Sequence, residues 1–205
     1  MPQKGIPKSF VYAIRIFQEN GGLLRSSEAQ RQGINPAVLK RMTERNILEK
    51  EERGLYRLAD TLPEGNVDFI YVSMLVPKGV ICLTSALSFH ELTTQIPREI
   101  YIALPQSIKA PNLEYPPLAV VWMSKKHYEA GREMYKIGDF DIRVYNAAKT
   151  IADCFKFRSK IGEDIALEGL KEYIRRRKGS IADLMHYAAI DGVKGVVQPY
   201  LKVLQ

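Results

Sequence analysis

Gly33-Ile34-Asn35-Pro36-Ala37-Val38-Leu39-Lys40-Arg41-Met42-Thr43-Glu44-Arg45-Asn46 is the stretch on which the fold turns. Asn35-Pro36 is a paired helix start. The Asn side-chain oxygen can accept from a first-turn amide, and proline at the first helical position gives up an amide that has no partner there anyway. The spacing predicts a helix from here to about Asn46, with Leu39 and Met42 turned to a core. Upstream, Gly33 closes a short helix to about Gln32 that opens at Arg25-Ser26-Ser27-Glu28, where Ser26 or Ser27 is expected to cap. Before that, Phe10, Ala13, Ile14 and Phe17 recur at spacings of three and four, an amphipathic helix from Ser9 to Asn20 that Gly21-Gly22 stops. Downstream, Ile47-Leu48-Glu49 and Gly54-Leu55-Tyr56-Arg57-Leu58 flank the charged tip Lys50 to Arg53 in the manner of a hairpin. Helix, short helix, tight turn, helix and hairpin in this order predict a winged helix-turn-helix over residues 1–60.

The polar run Asp60-Thr61-Leu62-Pro63-Glu64-Gly65-Asn66 suits a domain boundary, so a second domain is expected over 67–205. It reads as mixed. Thr84 to Leu92 is expected as a helix capped by Thr84, and Ile100 to Leu104, Leu118 to Trp122 and Ile142 to Tyr145 as short strands. Pro105, Pro111, Pro116 and Pro117 mark a long loop between the first two of these strands. Beyond Tyr145 the stripes Ala148/Ile151/Ala152/Phe155, Ala166/Leu170/Tyr173/Ile174 and Ile181 to Ala189 are helical. The fold class expected is α/β in the α+β sense, a winged helix followed by a mixed domain with a helical end.

The 205 residues carry 46% hydrophobic and 26% charged side chains, the make-up of a globular protein with a core. Thirty Lys and Arg against 23 Asp and Glu give a net charge of +7, a balance that favours polyanions and makes nucleic acid the first partner to consider. Residues 1–60 hold 11 basic and 7 acidic side chains, the higher charge density of the two parts. Cys82 and Cys154 have no metal or disulfide spacing and read as reduced core residues. The early apolar stretch is broken by Arg15 and has no small-residue cleavage site, and no run approaches membrane length, so a soluble cytoplasmic protein is expected.

A recognition helix reads bases from its N-terminal end and outer face. Asn35, Lys40, Arg41, Thr43 and Arg45 lie on the predicted third helix, with Lys40 and Arg41 best placed for bases and Asn35 also explained as a cap. Arg25, Ser26, Lys50 and Arg53 are expected to touch phosphate. Glu49, Glu51 and Glu52 oppose this, because a wing with three carboxylates repels phosphate. A second basic cluster, Lys149, Lys156, Arg158, Lys160, Lys171, Arg175, Arg176, Arg177 and Lys178, fits a phosphate-contacting patch, a docking face for an acidic partner, or a solvated helix face.

Catalytic patterns are weak. His90, His127 and His186 stand apart without ligand spacing, so no metal and no cofactor are expected. Walker, dinucleotide and nucleophile-elbow motifs are missing from the sequence, and Ser85 and Ser88 near His90 share one short helix without an orienting acid. A non-enzymatic protein is the expectation. Two or three acids converging on a pocket beside a lysine would instead favour nucleotide binding or nuclease chemistry, and a protein-interaction module is the other alternative.

Three sets of residues resemble the AbiEi family of antitoxins and transcriptional regulators. The first runs from Gly22-Leu23-Leu24-Arg25-Ser26-Ser27-Glu28-Ala29 through Gly33-Ile34-Asn35, Leu39, Arg41-Met42 and Gly54-Leu55-Tyr56-Arg57-Leu58. The second is Ile81-Cys82-Leu83-Thr84-Ser85-Ala86-Leu87 with the strand Ile100 to Pro105. The third is Ile142-Arg143-Val144-Tyr145-Asn146-Ala147-Ala148-Lys149-Thr150-Ile151-Ala152-Asp153-Cys154-Phe155-Lys156. The resemblance implies a bacterial type IV toxin and antitoxin system. In it the N-terminal winged helix binds inverted repeats in its own promoter and represses. The C-terminal domain counters a nucleotidyltransferase-like toxin without a stable complex, and in some members assists DNA binding.

Overall fold

The computed structural model describes residues 6–52, 54–63 and 65–204. The chain divides into two compact units, one reaching to Ile70 and taking in Lys136–Asp141, the other holding Tyr71–Tyr135 and the chain from Ile142 onward. The change-over falls inside a helix, past the polar run expected as a linker.

In the first unit α1 (Lys8–Glu19), β1 (Leu23–Arg25), α2 (Ser26–Arg31), α3 (Pro36–Glu44), β2 (Leu48–Glu52) and β3 (Leu55–Leu58) follow in chain order. Phe10, Ala13, Ile16 and Phe17 are the buried stripe of α1, and they meet Ala29, Leu39, Met42, Leu48 and Leu58 in one apolar cluster. The three strands form an antiparallel sheet in the order β1-β3-β2. This is a winged helix in which β2 and β3 are the wing. The expected serine cap of α2 is replaced: Arg25 holds the N-cap position, and no side chain caps the helix. The helix start is tied instead by the Ser26 amide, which donates to the Gly54 carbonyl at 2.7 Å.

α4 (Val67–Leu75) precedes the elements of the second unit, which are β4 (Val80–Ile81), α5 (Leu83–Phe89), β5 (Ile100–Pro105), β6 (Leu118–Met123), α6 (Lys125–Glu129), β7 (Arg132–Ile137), β8 (Phe140–Tyr145), α7 (Ala147–Lys156), α8 (Arg158–Ile161), α9 (Glu163–Arg175), α10 (Ile181–Ile190) and α11 (Lys194–Leu204). The sheet order is β6-β5-β4-β8-β7, with β5 parallel to β6, β4 antiparallel to β5, and β4 parallel to β8. The proline-marked loop is the crossover that lets β5 and β6 run parallel. α5 begins one residue earlier than expected. Cys82, not Thr84, is its N-cap, because Leu83 adopts φ +47° and turns the chain from strand into helix. Ile151, Phe155, Leu170, Leu184, Val197 and Leu201 from α7, α9, α10 and α11 pack with Leu83, Leu87 and Val121 into the larger core.

Candidate nucleic-acid interface

α3 begins as Asn35-Pro36 dictates. The Asn35 Oδ1 accepts from the Ala37 amide at 2.8 Å, Pro36 occupies the first turn, and Leu39 and Met42 are buried. The opposite side carries the cations. Lys40 has an 80% exposed side chain whose Nζ lies 4.0 Å from Glu44 of the next turn, an exposed pair of small energetic weight. Arg41 and Arg45 are also exposed, but their guanidinium carbons stand over the ring of Phe10, 5.4 and 5.3 Å from its centroid. The Thr43 hydroxyl turns back to donate to the Leu39 carbonyl at 3.0 Å. Asn35 is therefore a cap, Thr43 spends its proton within the helix, and Lys40, Arg41 and Arg45 remain as surface cations.

Arg25 and Ser26 are half-buried at the junction of β1 and α2, Lys50 is exposed on β2, and Arg53 lies outside the described residues. The acidic wing has an internal answer. Arg57, on the central strand β3 with an 8% exposed side chain, donates from Nη2 to Glu49 and from Nε to Glu51. Its Nη1 reaches the carbonyls of Leu58, Ala59 and Thr61 at 3.1, 3.2 and 2.6 Å. Two of the three wing carboxylates are thus countered by one buried cation. Sequence reading missed this role, although Arg57 in the alternation Leu55, Arg57 on one strand and Glu49, Glu51 on its neighbour was the available signal.

The second basic cluster does not form one surface. Lys149 is a correction: it is fully buried, its Nζ donating to Asp153 at 2.5 Å and to the two Asp191 oxygens at 2.8 and 2.9 Å, so it cannot meet phosphate. A cation four residues before an acid on the buried side of α7 donates to one oxygen of that acid instead. Lys156 leans toward Asp191 at 3.8 Å, Arg158 donates to the Phe155 carbonyl at 2.7 Å, and Lys160 stands over the Tyr101 ring. Lys171 and Arg177 are exposed. Arg175 and Arg176 share Glu172, whose carboxyl their hydrogen bonds pull down to about 2, and Arg176 and Lys178 both lie 3.5 Å from Glu91.

The remaining chemistry-bearing groups sit apart. The Ser85 hydroxyl accepts from the Tyr101 amide at 2.9 Å, tying α5 to β5. His90 Nε2 meets the Tyr145 carbonyl at 2.7 Å, and burial holds its ring below the ordinary imidazole pKa. His127 Nδ1 lies 2.7 Å from Ser124 Oγ. Among the described residues no three His, Cys, Asp or Glu side chains are grouped to hold a metal ion. A cavity of about 400 Å³ in the second unit is lined by His90, Glu133, Tyr135, Lys178, Asp183 and Tyr187, among others. Glu133 there already accepts from the Tyr135 hydroxyl and Asn146 Nδ2, and Asp183 from Ser180. No described helix is long and apolar enough to cross a membrane.

The first unit is thus a winged helix whose α3 exposes Lys40, Arg41 and Arg45. Residues 12–59 match the family described as transcriptional regulator, AbiEi antitoxin, so this stretch of the N-terminal module is similar to that family. Among solved structures, the crystal structure of the RV2827C protein from Mycobacterium tuberculosis is similar, with a TM-score of 0.60 over 98% of this chain and 83% of that one at 10% identity. At that identity the likeness is one of fold. No curated protein matches the sequence.

Proposed function

We propose that this protein is a DNA-binding transcriptional repressor and antitoxin that recognises inverted repeats in its own promoter through α3 and the wing. The observation that carries the reading is the outer side of α3, where Lys40, Arg41 and Arg45 are exposed on a helix whose other side is locked into the core. Lys40 is the base reader, since a lysine can donate to guanine O6 and N7, while Lys50 and Arg25 serve the phosphates. The C-terminal unit counters a nucleotidyltransferase-like toxin without a stable complex, as the family resemblance implies. The exposed residues Lys171, Arg175, Arg176 and Arg177 are the part of the second cluster available to assist on DNA.

The test is a shift assay of the full chain on the DNA upstream of its own gene. Affinity falls by about a thousandfold between roughly 50 and 200 mM salt if some six phosphates are engaged. Lys40→Ala alters sequence preference at one base pair, by about 1 to 3 kcal/mol, whereas Arg176→Ala weakens all sequences alike or leaves them unchanged. A flat salt response, or normal binding and preference in Lys40→Ala, removes the assignment.

A second reading rests on the cavity beside His90, which Glu133, Asp183 and Lys178 also line. Two acids beside a lysine fit a small nucleotide-like ligand. Thermal stabilisation of the full chain by a nucleoside triphosphate, lost in Glu133→Gln, supports that reading; no shift with any nucleotide at millimolar concentration retires it.

A further inference from the structure

Arg41 and Arg45 share a feature that Lys40 lacks: both guanidinium groups are held over one aromatic ring. Phe10 has no exposed surface, yet Arg41 and Arg45, four residues apart, stand 5.4 and 5.3 Å from its centroid. Among the described residues neither arginine has an ion pair or hydrogen bond to another group, in contrast to Arg57, Arg175 and Arg176. A guanidinium is planar and weakly hydrated, so it stacks on a ring while its edge N–H groups stay free to donate. A lysine ammonium, a strongly hydrated point charge, gains no such planar seat. Position along the helix adds a second constraint. Arg41 lies in the last turn of α3 and Arg45 at its C-cap, whereas a recognition helix presents its N-terminal residues to base edges.

We infer that Arg41 and Arg45 form a two-pronged clamp for the DNA sugar-phosphate backbone, that Phe10 of α1 is the positioning residue that fixes both prongs, and that base reading on α3 is left to Lys40. This deepens the DNA-binding reading and rests on it. It also reassigns Arg41, which the sequence alone places among the base readers. The ring restrains two long side chains before DNA arrives, so less rotamer freedom is lost on binding. Phosphate oxygens are the acceptors, because the clamp recognises charge and spacing and carries no base-specific pattern.

The experiment measures the affinity of the full chain for a promoter duplex, for single-base variants of that duplex and for an unrelated duplex, each across a salt series. The proteins are wild type, Arg41→Ala, Arg45→Ala, Arg41→Lys, Arg45→Lys and Phe10→Leu, with circular dichroism and thermal melting as the check on folding. The alanine variants are expected to bind every duplex roughly tenfold more weakly, and to lower the salt slope by about one each, with base preferences unchanged. The lysine variants keep the wild-type slope and lose affinity on all duplexes alike, because the charge stays and the seat is lost. Phe10→Leu, where folded, behaves as the lysine variants do. Should Arg41→Ala shift the preference at one base pair while the slope stays, Arg41 is a base reader and the clamp is overturned. Lysine variants that match wild type on every duplex overturn the role of Phe10. A wild-type chain that binds no duplex overturns the DNA-binding reading itself, and the clamp with it.

Discussion

A guanidinium taken out of water must place its N–H groups on acceptors or cost more than it contributes, and Arg57 places them on two carboxylates and three carbonyls. Those acceptors lie on β2 and on the chain leaving β3, so one side chain fastens the wing to its own exit. Arg57→Ala strips all of them at once. The expected cost is about 2 kcal/mol, since Glu49 and Glu51 remain partly hydrated, and urea unfolding of the full chain measures it. The same variant frees two wing carboxylates, so DNA affinity should fall further at low salt than at high salt. Lys149 makes the complementary point in the second unit. It counts as one more cation in a basic run of sequence, yet it lies closed off between Asp153 and Asp191. Three ionisable groups that converge without exposure bind each other, and Lys149 is not presented to an outside anion.

At the scale of elements, α3 shows a start signal acting as written. Asn35→Ala removes the acceptor of the Ala37 amide and should lower stability by about 1 kcal/mol in urea unfolding, whereas Asn35→Asp or Asn35→Ser should retain most of it. The winged helix was legible because its signals are local: the Asn35 cap, the glycine stops and the three-and-four stripes each lie within a dozen residues of the helix they set. The second unit was legible only in part. The same holds for β1 of the first unit, which has three residues and exists through pairing with Arg57, Tyr56 and Leu55 thirty or more positions later. β4 has two residues and depends on β5 and β8. β7 is mostly exposed, so it lacks the apolar alternation that marks a strand, and α11 carries Pro199 inside it. The candidate interface followed the same division. The exposure of Lys40 on α3 follows from helical spacing alone, whereas the seat of Arg41 and Arg45 on Phe10 and the tie of Arg57 to Glu49 and Glu51 need tertiary contacts. The Lys149 to Asp153 spacing of four was visible in the sequence, but Asp191 joins it from the far end of α10.

The chain as a whole is basic, so its response to pH would ordinarily be sought in surface charge, but among the described residues the most perturbed carboxyl is inside. Asp153 is fully buried on α7, and its Oδ2 has no hydrogen-bond partner among the described residues. Burial is the larger influence on it and opposes the pull of Lys149, while Asp191 adds repulsion; the carboxyl is pushed up to about 8. His127 and Lys156, both partly exposed, also approach the buried Asp191, at 3.9 and 3.8 Å. A carboxyl raised in the fold binds a proton that the unfolded chain releases near pH 4, so its contribution is present in acid and is lost as pH rises through about 8. The histidines act in the opposite sense. Burial lowers both His90 and His127, so their contribution is lost as pH falls below the ordinary imidazole range. Between about pH 7 and 9 these imidazoles are largely neutral and common to both proteins, and Asp153 dominates the difference between wild type and Asp153→Asn, which cannot ionise but keeps an acceptor for Lys149. Urea unfolding across that window should show wild type losing stability relative to Asp153→Asn, at up to about 1.4 kcal/mol per pH unit near neutrality and less above pH 8. Parallel curves would mean that Asp153 is already ionised at neutral pH and that Lys149 outweighs its burial.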